Sequence, residues 1–156
     1  MSLTINANLG GIESLLDELA DNAEEAARPA AQAAAQVLYD AVKLNVASIG
    51  RVTGNLDRSI YQVYSRDDSA QGRATYHVSW NHKKAPHGWL VENGHLQKYK
   101  VYLGKDGKWY TDKKAPLPSP KHVGARPFVR PAQARFPAAL DAAVAELLKR
   151  INGGPP

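Results

Sequence analysis

Apolar positions in the first third of the chain recur at helical spacing. From about Gly11 to Ala47 helix formers run almost unbroken, and Ile12, Leu15, Leu16, Leu19 and Ala23 fall on one stripe. Val37, Leu38, Ala41, Val42 and Asn45 continue it after a break, and Pro29 inside the pattern predicts two helices or a kink near Arg28. The alanine-rich stretch from Ala30 to Ala35 allows close approach of another element but offers little side-chain area of its own. Something has to lie against it.

The period then changes to two. Ile60 to Ser65 and Ala74 to Trp80 alternate as half-buried strands, with a polar turn from Asp67 to Gly72 making them a hairpin. A second hairpin is predicted from Tyr99–Leu103 and Lys108–Thr111, joined by Gly104-Lys105-Asp106-Gly107 with its Asp-Gly turn signal. Pro116, Pro118 and Pro120 then predict a stiff extended linker. A C-terminal helix is expected from Pro131 to about Arg150, with Phe136, Leu140, Val144, Leu147, Leu148 and Ile151 at helical spacing. Pro137 kinks that helix or marks its true start, and Gly153-Gly154-Pro155-Pro156 ends it. The expected fold is therefore α+β: a long kinked N-terminal helix, an antiparallel sheet of about four strands, and a C-terminal helix packed on the sheet. At 156 residues it reads as one domain, 1–156, with 1–10 and 152–156 flexible and 96–120 forming an inserted β-arm and proline-rich linker.

Composition narrows the classes. A hydrophobic content of 44% argues against wholesale disorder. No run of about 18 apolar residues predicts a membrane span, and no basic segment followed by an apolar core marks a secretory signal. Zero cysteines exclude disulfides, thiolate zinc sites and thiol catalysis. The net charge of +5 is unevenly placed. Up to Ala47 seven acids face two bases, whereas from Asn93 to Arg135 ten bases face two acids. Such polarity permits head-to-tail association of copies, or contact of the basic end with nucleic acid.

Three blocks carry more specific information. Thr53-Gly54-Asn55-Leu56-Asp57-Arg58-Ser59-Ile60 leads from the long helix into the first strand. Ala85-Pro86-His87-Gly88-Trp89-Leu90-Val91-Glu92-Asn93-Gly94-His95 follows the first hairpin. Ala125-Arg126-Pro127-Phe128-Val129-Arg130-Pro131-Ala132 opens the C-terminal helix. In the last, Pro127 holds Arg126 extended and Pro131 suits a first helical position, so Phe128 is presented as an aromatic peg between two cations.

In their order and spacing these blocks resemble the head–tail joining, or tail-completion, proteins of the neck and minor tail of long-tailed phages and prophages, the gene-product-ten-like family. Asn93 stands where that family usually has an aromatic, and the stretch from His95 to His122 is extra. The resemblance implies a non-enzymatic structural protein that forms a ring on a template and needs no cofactor or metal. Its implied partners are further copies of itself, connector or head-completion proteins and tail-tube proteins, in the virion neck or tail after synthesis in the bacterial cytoplasm. The expected assembly residues are Arg126, Pro127, Phe128, Arg130, Pro131, Trp89, Glu92 and Gly94.

Read for chemistry, the residues are less specific. His82, His87 and His95 gather around Trp89 and Glu92, but their spacing matches no strong zinc or nuclease pattern. A buried Glu92 requires Arg126, Arg130 or backbone N–H groups as partners. On the predicted arm Lys98, Lys100, Lys105 and Lys108 interleave with Tyr102 and Trp109, a pattern suited to a partner surface or to non-specific DNA contact. The alternative reading is a small basic nucleic-acid-binding protein or toxin-like ribonuclease, dependent on His87, Glu92 or Arg126.

Overall fold

A computed structural model describes residues 10–50 and 54–152. Thr53 of the first block and most of the two ends expected to be flexible lie outside the described residues. The elements run α1 (Gly10–Ile49), α2 (Asn55–Ser59), β1 (Ile60–Ala70), β2 (Arg73–Trp80), α3 (Gly88–Asn93), β3 (His95–Leu103), β4 (Trp109–Val123), a 3-10 helix (Arg130–Arg135) and α4 (Phe136–Ile151). The class is α+β, with the four strands arranged as two separate two-stranded antiparallel sheets, β1-β2 and β3-β4.

Two compact units divide the chain. The first holds α1 up to Ala41, the hairpin from Tyr61 to Ser79 and the chain from Ala134 onward. In it, Glu24, Arg28, Gln32 and Gln36 stand one turn apart on α1 and all reach the β1-β2 hairpin. Gln71 donates to Glu24, Tyr76 donates to Gln32 and Gln62 donates to Gln36. The Arg28 guanidinium lies 4.5 Å from the centre of the Tyr64 ring. Ala26, Ala30 and Ala35 are buried along the same helix, as small residues permit.

α1 continues through Pro29 without dividing into two helices. Proline there removes one main-chain donor, and the buried alanines and polar ladder on either side hold the remaining turns. The β1-β2 turn is also tighter than the sequence suggests: Asp67 to Ala70 belong to β1, leaving only Gln71 and Gly72 between the strands. Ser65, Asp68, Ser69, Thr75 and His77 satisfy one another across this polar end.

α4 begins where Pro137 allows it, in the first turn, after the 3-10 helix that contains Pro131. Its less exposed side is Ala139, Ala142, Ala143, Glu146, Leu147, Arg150 and Ile151, whereas Phe136, Leu140, Val144 and Leu148 form an exposed stripe.

The second unit comprises Val42–Ile60 and Trp80–Gln133. Here Lys43 reaches down α1 to the Asp57 carboxylate and carbonyl, and the Asn81 N–H donates to the Ser59 carbonyl. β3 and β4 pair from His95↔Val123 to Leu103↔Trp109. Pro116, Pro118 and Pro120 therefore lie within β4 and do not form a linker. A two-stranded sheet leaves an outer edge where proline's missing donor costs nothing, and the register shifts around Tyr99↔Pro116 absorb the irregularity.

Candidate functional site

The second and third sequence blocks close on each other around Glu92. α3 is a six-residue helix whose carboxylate at Glu92 is 6% exposed. Three consecutive backbone N–H groups converge on it: Phe128 and Val129 donate to Oε2 at 2.7 and 2.9 Å, and Arg130 donates to Oε1 at 3.1 Å. The Arg130 side chain adds Nε to Oε1 at 3.2 Å, while its Nη2 donates to the Glu92 carbonyl at 2.6 Å. Successive amides form a concave nest for an anion, and the guanidinium completes it. Burial alone pushes the Glu92 carboxyl up, but these donors more than offset it and hold it below the ordinary carboxylate value.

Further contacts close the joint. The Arg126 N–H donates to the Val91 carbonyl at 2.8 Å, one residue from the nest. Gly94 has φ 72 and ψ 172, and a Cβ there would stand 2.8 Å from both the Val123 carbonyl oxygen and the Ala125 nitrogen. Only glycine fits this backbone crossing. Phe128 is wholly buried, its ring edge-on to Trp80 at 5.4 Å between centroids. Trp80 in turn lies directly over Gly88, where any side chain would meet the indole at 2.4 Å.

The expected assembly residues thus separate by exposure. Glu92, Gly94 and Phe128 are buried in the joint, with Pro127 half-buried beside them. Trp89, Arg126, Arg130 and Pro131 remain exposed, and Trp89 is joined by the exposed Leu90. Asn45, which reads in the sequence as part of an apolar stripe, donates from Nδ2 to the Phe128 carbonyl at 2.9 Å. Its signal was a polar amide at a stripe position, where a buried partner is the physical requirement. Lys43 and Trp80 carried no comparable signal.

The arm residues Lys98, Lys100, Tyr102, Lys105, Lys108 and Trp109 are all exposed on β3-β4 and its turn. Tyr102 stacks on Tyr110 at 5.8 Å, and the Tyr110 hydroxyl donates to Asp106 at 2.7 Å. Of the histidines, His82 lies beside Trp80 and His95 opens β3. Among the described residues, no three His, Asp or Glu side chains gather as a metal-binding group, and no helix is long and apolar enough to cross a membrane.

The Glu92 carboxylate thus joins two chain segments, and Trp89, Leu90 and Arg126 of the same segments stay exposed. The chain belongs to the HK97-gp10-like family of bacteriophage tail components, whose model matches residues 12–94. The match covers α1 to Gly94 and stops short of Phe128 and Arg130, the residues that Glu92 holds. No curated protein and no solved structure matches the chain.

Proposed function

We propose that this tail component completes the tail or neck of its phage and joins it to the DNA-filled head, as a non-enzymatic ring subunit. The observation that carries the reading is the Glu92 joint in a chain of the tail-component family. Glu92 is the acid a hydrolytic mechanism would need, yet three backbone N–H groups and Arg130 occupy it. A carboxylate so engaged is a poor proton acceptor, and this weighs against the toxin-like ribonuclease alternative. Trp89, Leu90 and Arg126 neighbour the joint along the chain, and their exposure suits contact with a connector or tail-tube ring. Copies associate with one another, and the connector or tail-tube ring that they meet completes the assembly.

Deleting the gene from an inducible parent phage and imaging the lysate tests the proposal. Full heads separated from tails, or tails with ragged overlong ends, are expected. Intact infectious particles would overturn it.

A further inference from the structure

We propose that the β3-β4 arm of one copy docks on the acidic N-terminal half of α1 of the next copy. The contact rests on the ring-subunit reading and names its surfaces. Two exposed stretches among the described residues carry it. In α1 every residue from Leu16 to Asp21 is exposed, so this stretch is a helix covered on no side. It nonetheless carries Leu16 and Leu19, 57% and 38% exposed, among Asp17, Glu18 and Asp21. An apolar stripe on a helix gains stability only when something covers it.

The arm is the complementary object. Register places Val101, Leu103, Thr111 and Trp109 on one face near the tip, and Lys100, Asp112, Tyr102 and Tyr110 on the other. Tyr102 and Tyr110 pair directly on the face of Lys100 and are 53% and 43% exposed. An isolated two-stranded ribbon with large apolar side chains in water on both faces is marginal by itself and calls for a cover. Charge supplies the match: His95 to Val123 holds seven lysines against two acids, and α1 holds seven acids against two bases. The lengths agree as well. Leu16 to Glu25 along a helix and Lys98 to Leu103 along a strand each span about 15 Å.

Several features favour a second copy over DNA. Val101 and Leu103 are aliphatic and give a base no ring to stack on. Tyr102 and Tyr110 stack on each other. Asp106 at the tip and Asp112 opposite Lys100 place negative charge among the lysines, where a phosphate backbone would be repelled. Each copy presents one arm and one acidic helix, so the contact joins unlike surfaces, as a head-to-tail ring requires.

The test uses the purified full chain and two charge reversals on exposed positions, Lys98→Glu with Lys100→Glu on the arm and Asp17→Lys with Asp21→Lys on the helix. Unchanged circular dichroism confirms that each folds. Sedimentation velocity over a concentration series at low and high salt is expected to show self-association of the native chain that weakens with salt. Each reversal alone lowers association about tenfold or more. Mixing the two reversed chains restores it, because the reversed positions of one chain then meet reversed positions of opposite sign on the other, and native surfaces meet native ones. A native chain that stays monomeric at low salt overturns the contact, as does association indifferent to both reversals. Duplex DNA binding lost with the arm lysines, in a chain that does not self-associate, overturns it in favour of nucleic acid. Association through another surface would leave the tail reading standing, whereas infectious particles after gene deletion would remove that reading independently.

Discussion

The Glu92 carboxylate accepts the backbone N–H of Phe128 at 2.7 Å, across 36 residues of intervening chain. The residue that presents this donor is wholly buried and its carbonyl is held in turn by Asn45. One bond therefore marks the place where α1, α3 and the approach to α4 become a single structure.

The charge on Glu92 is what the nest recognises. Glu92→Gln keeps the shape but replaces an acceptor-only group with an amide whose nitrogen faces donors. A loss of about 1–3 kcal/mol in urea unfolding is expected. An unchanged midpoint would mean that the N–H groups are satisfied without the carboxylate. Arg130 is more than half exposed, so Arg130→Gln should cost less than Glu92→Gln in the same assay.

Acid should weaken the joint. The folded Glu92 carboxyl lies below its ordinary value of 4.5, so below that pH the unfolded chain binds protons more readily than the folded one. The stabilisation is complete above pH 4.5 and fades as pH falls through the folded value. Asp68, Asp106 and Glu146 are lowered as well, each chiefly by a side-chain hydrogen bond, and drift in the same direction. The difference between native and Glu92→Gln stability isolates the joint: it should shrink from pH 6 to pH 3. A constant gap would refute the assignment.

Glycine positions with similar φ should respond differently to alanine. Gly94→Ala forces a Cβ against the Val123 and Ala125 backbone, whereas Gly107, with φ 73, faces open space. Gly107→Ala should cost about 1–2 kcal/mol of backbone strain. Gly94→Ala should cost more than that, or prevent folding of the second unit. Equal thermal shifts for the two would show that the close crossing at Gly94 is relaxed in solution.

The chain has two phenylalanines in opposite circumstances. Phe128 is fully buried and Phe136 is 55% exposed. Phe128→Ala should lose about 3–5 kcal/mol, and Phe136→Ala should stay within about 0.5 kcal/mol. Comparable losses would place Phe136 in a core that the free chain does not display.

Local physics was enough to read the longer elements in the sequence. Helical periodicity located α1 and α4, alternation located the two hairpins, and the Asp-Gly pair located the β3-β4 turn closed by the Gly104 and Gly107 N–H groups. The first two blocks, which fall in the stretch that the family model matches, likewise pointed to the family through residue order. Expectation failed where a local rule met a tertiary contact. The β4 prolines lie in a strand, because a two-stranded sheet offers an edge that needs no donor. The apolar stripe of α4 did not reveal which side is exposed, since periodicity names a face but not what covers it.

What the sequence by itself determined was the two long helices, the two hairpins and their order, since these follow from propensities and turns acting over a few residues. Only the tertiary structure decided that Glu92 is held by Phe128, Val129 and Arg130, that Asn45 supports them and that Gly94 must be bare. The hydrogen bonds among them join segments 36 to 83 residues apart. No local period encodes such a pairing; it arises when the β3-β4 hairpin returns the chain to Gly94 and buried polar groups must find partners.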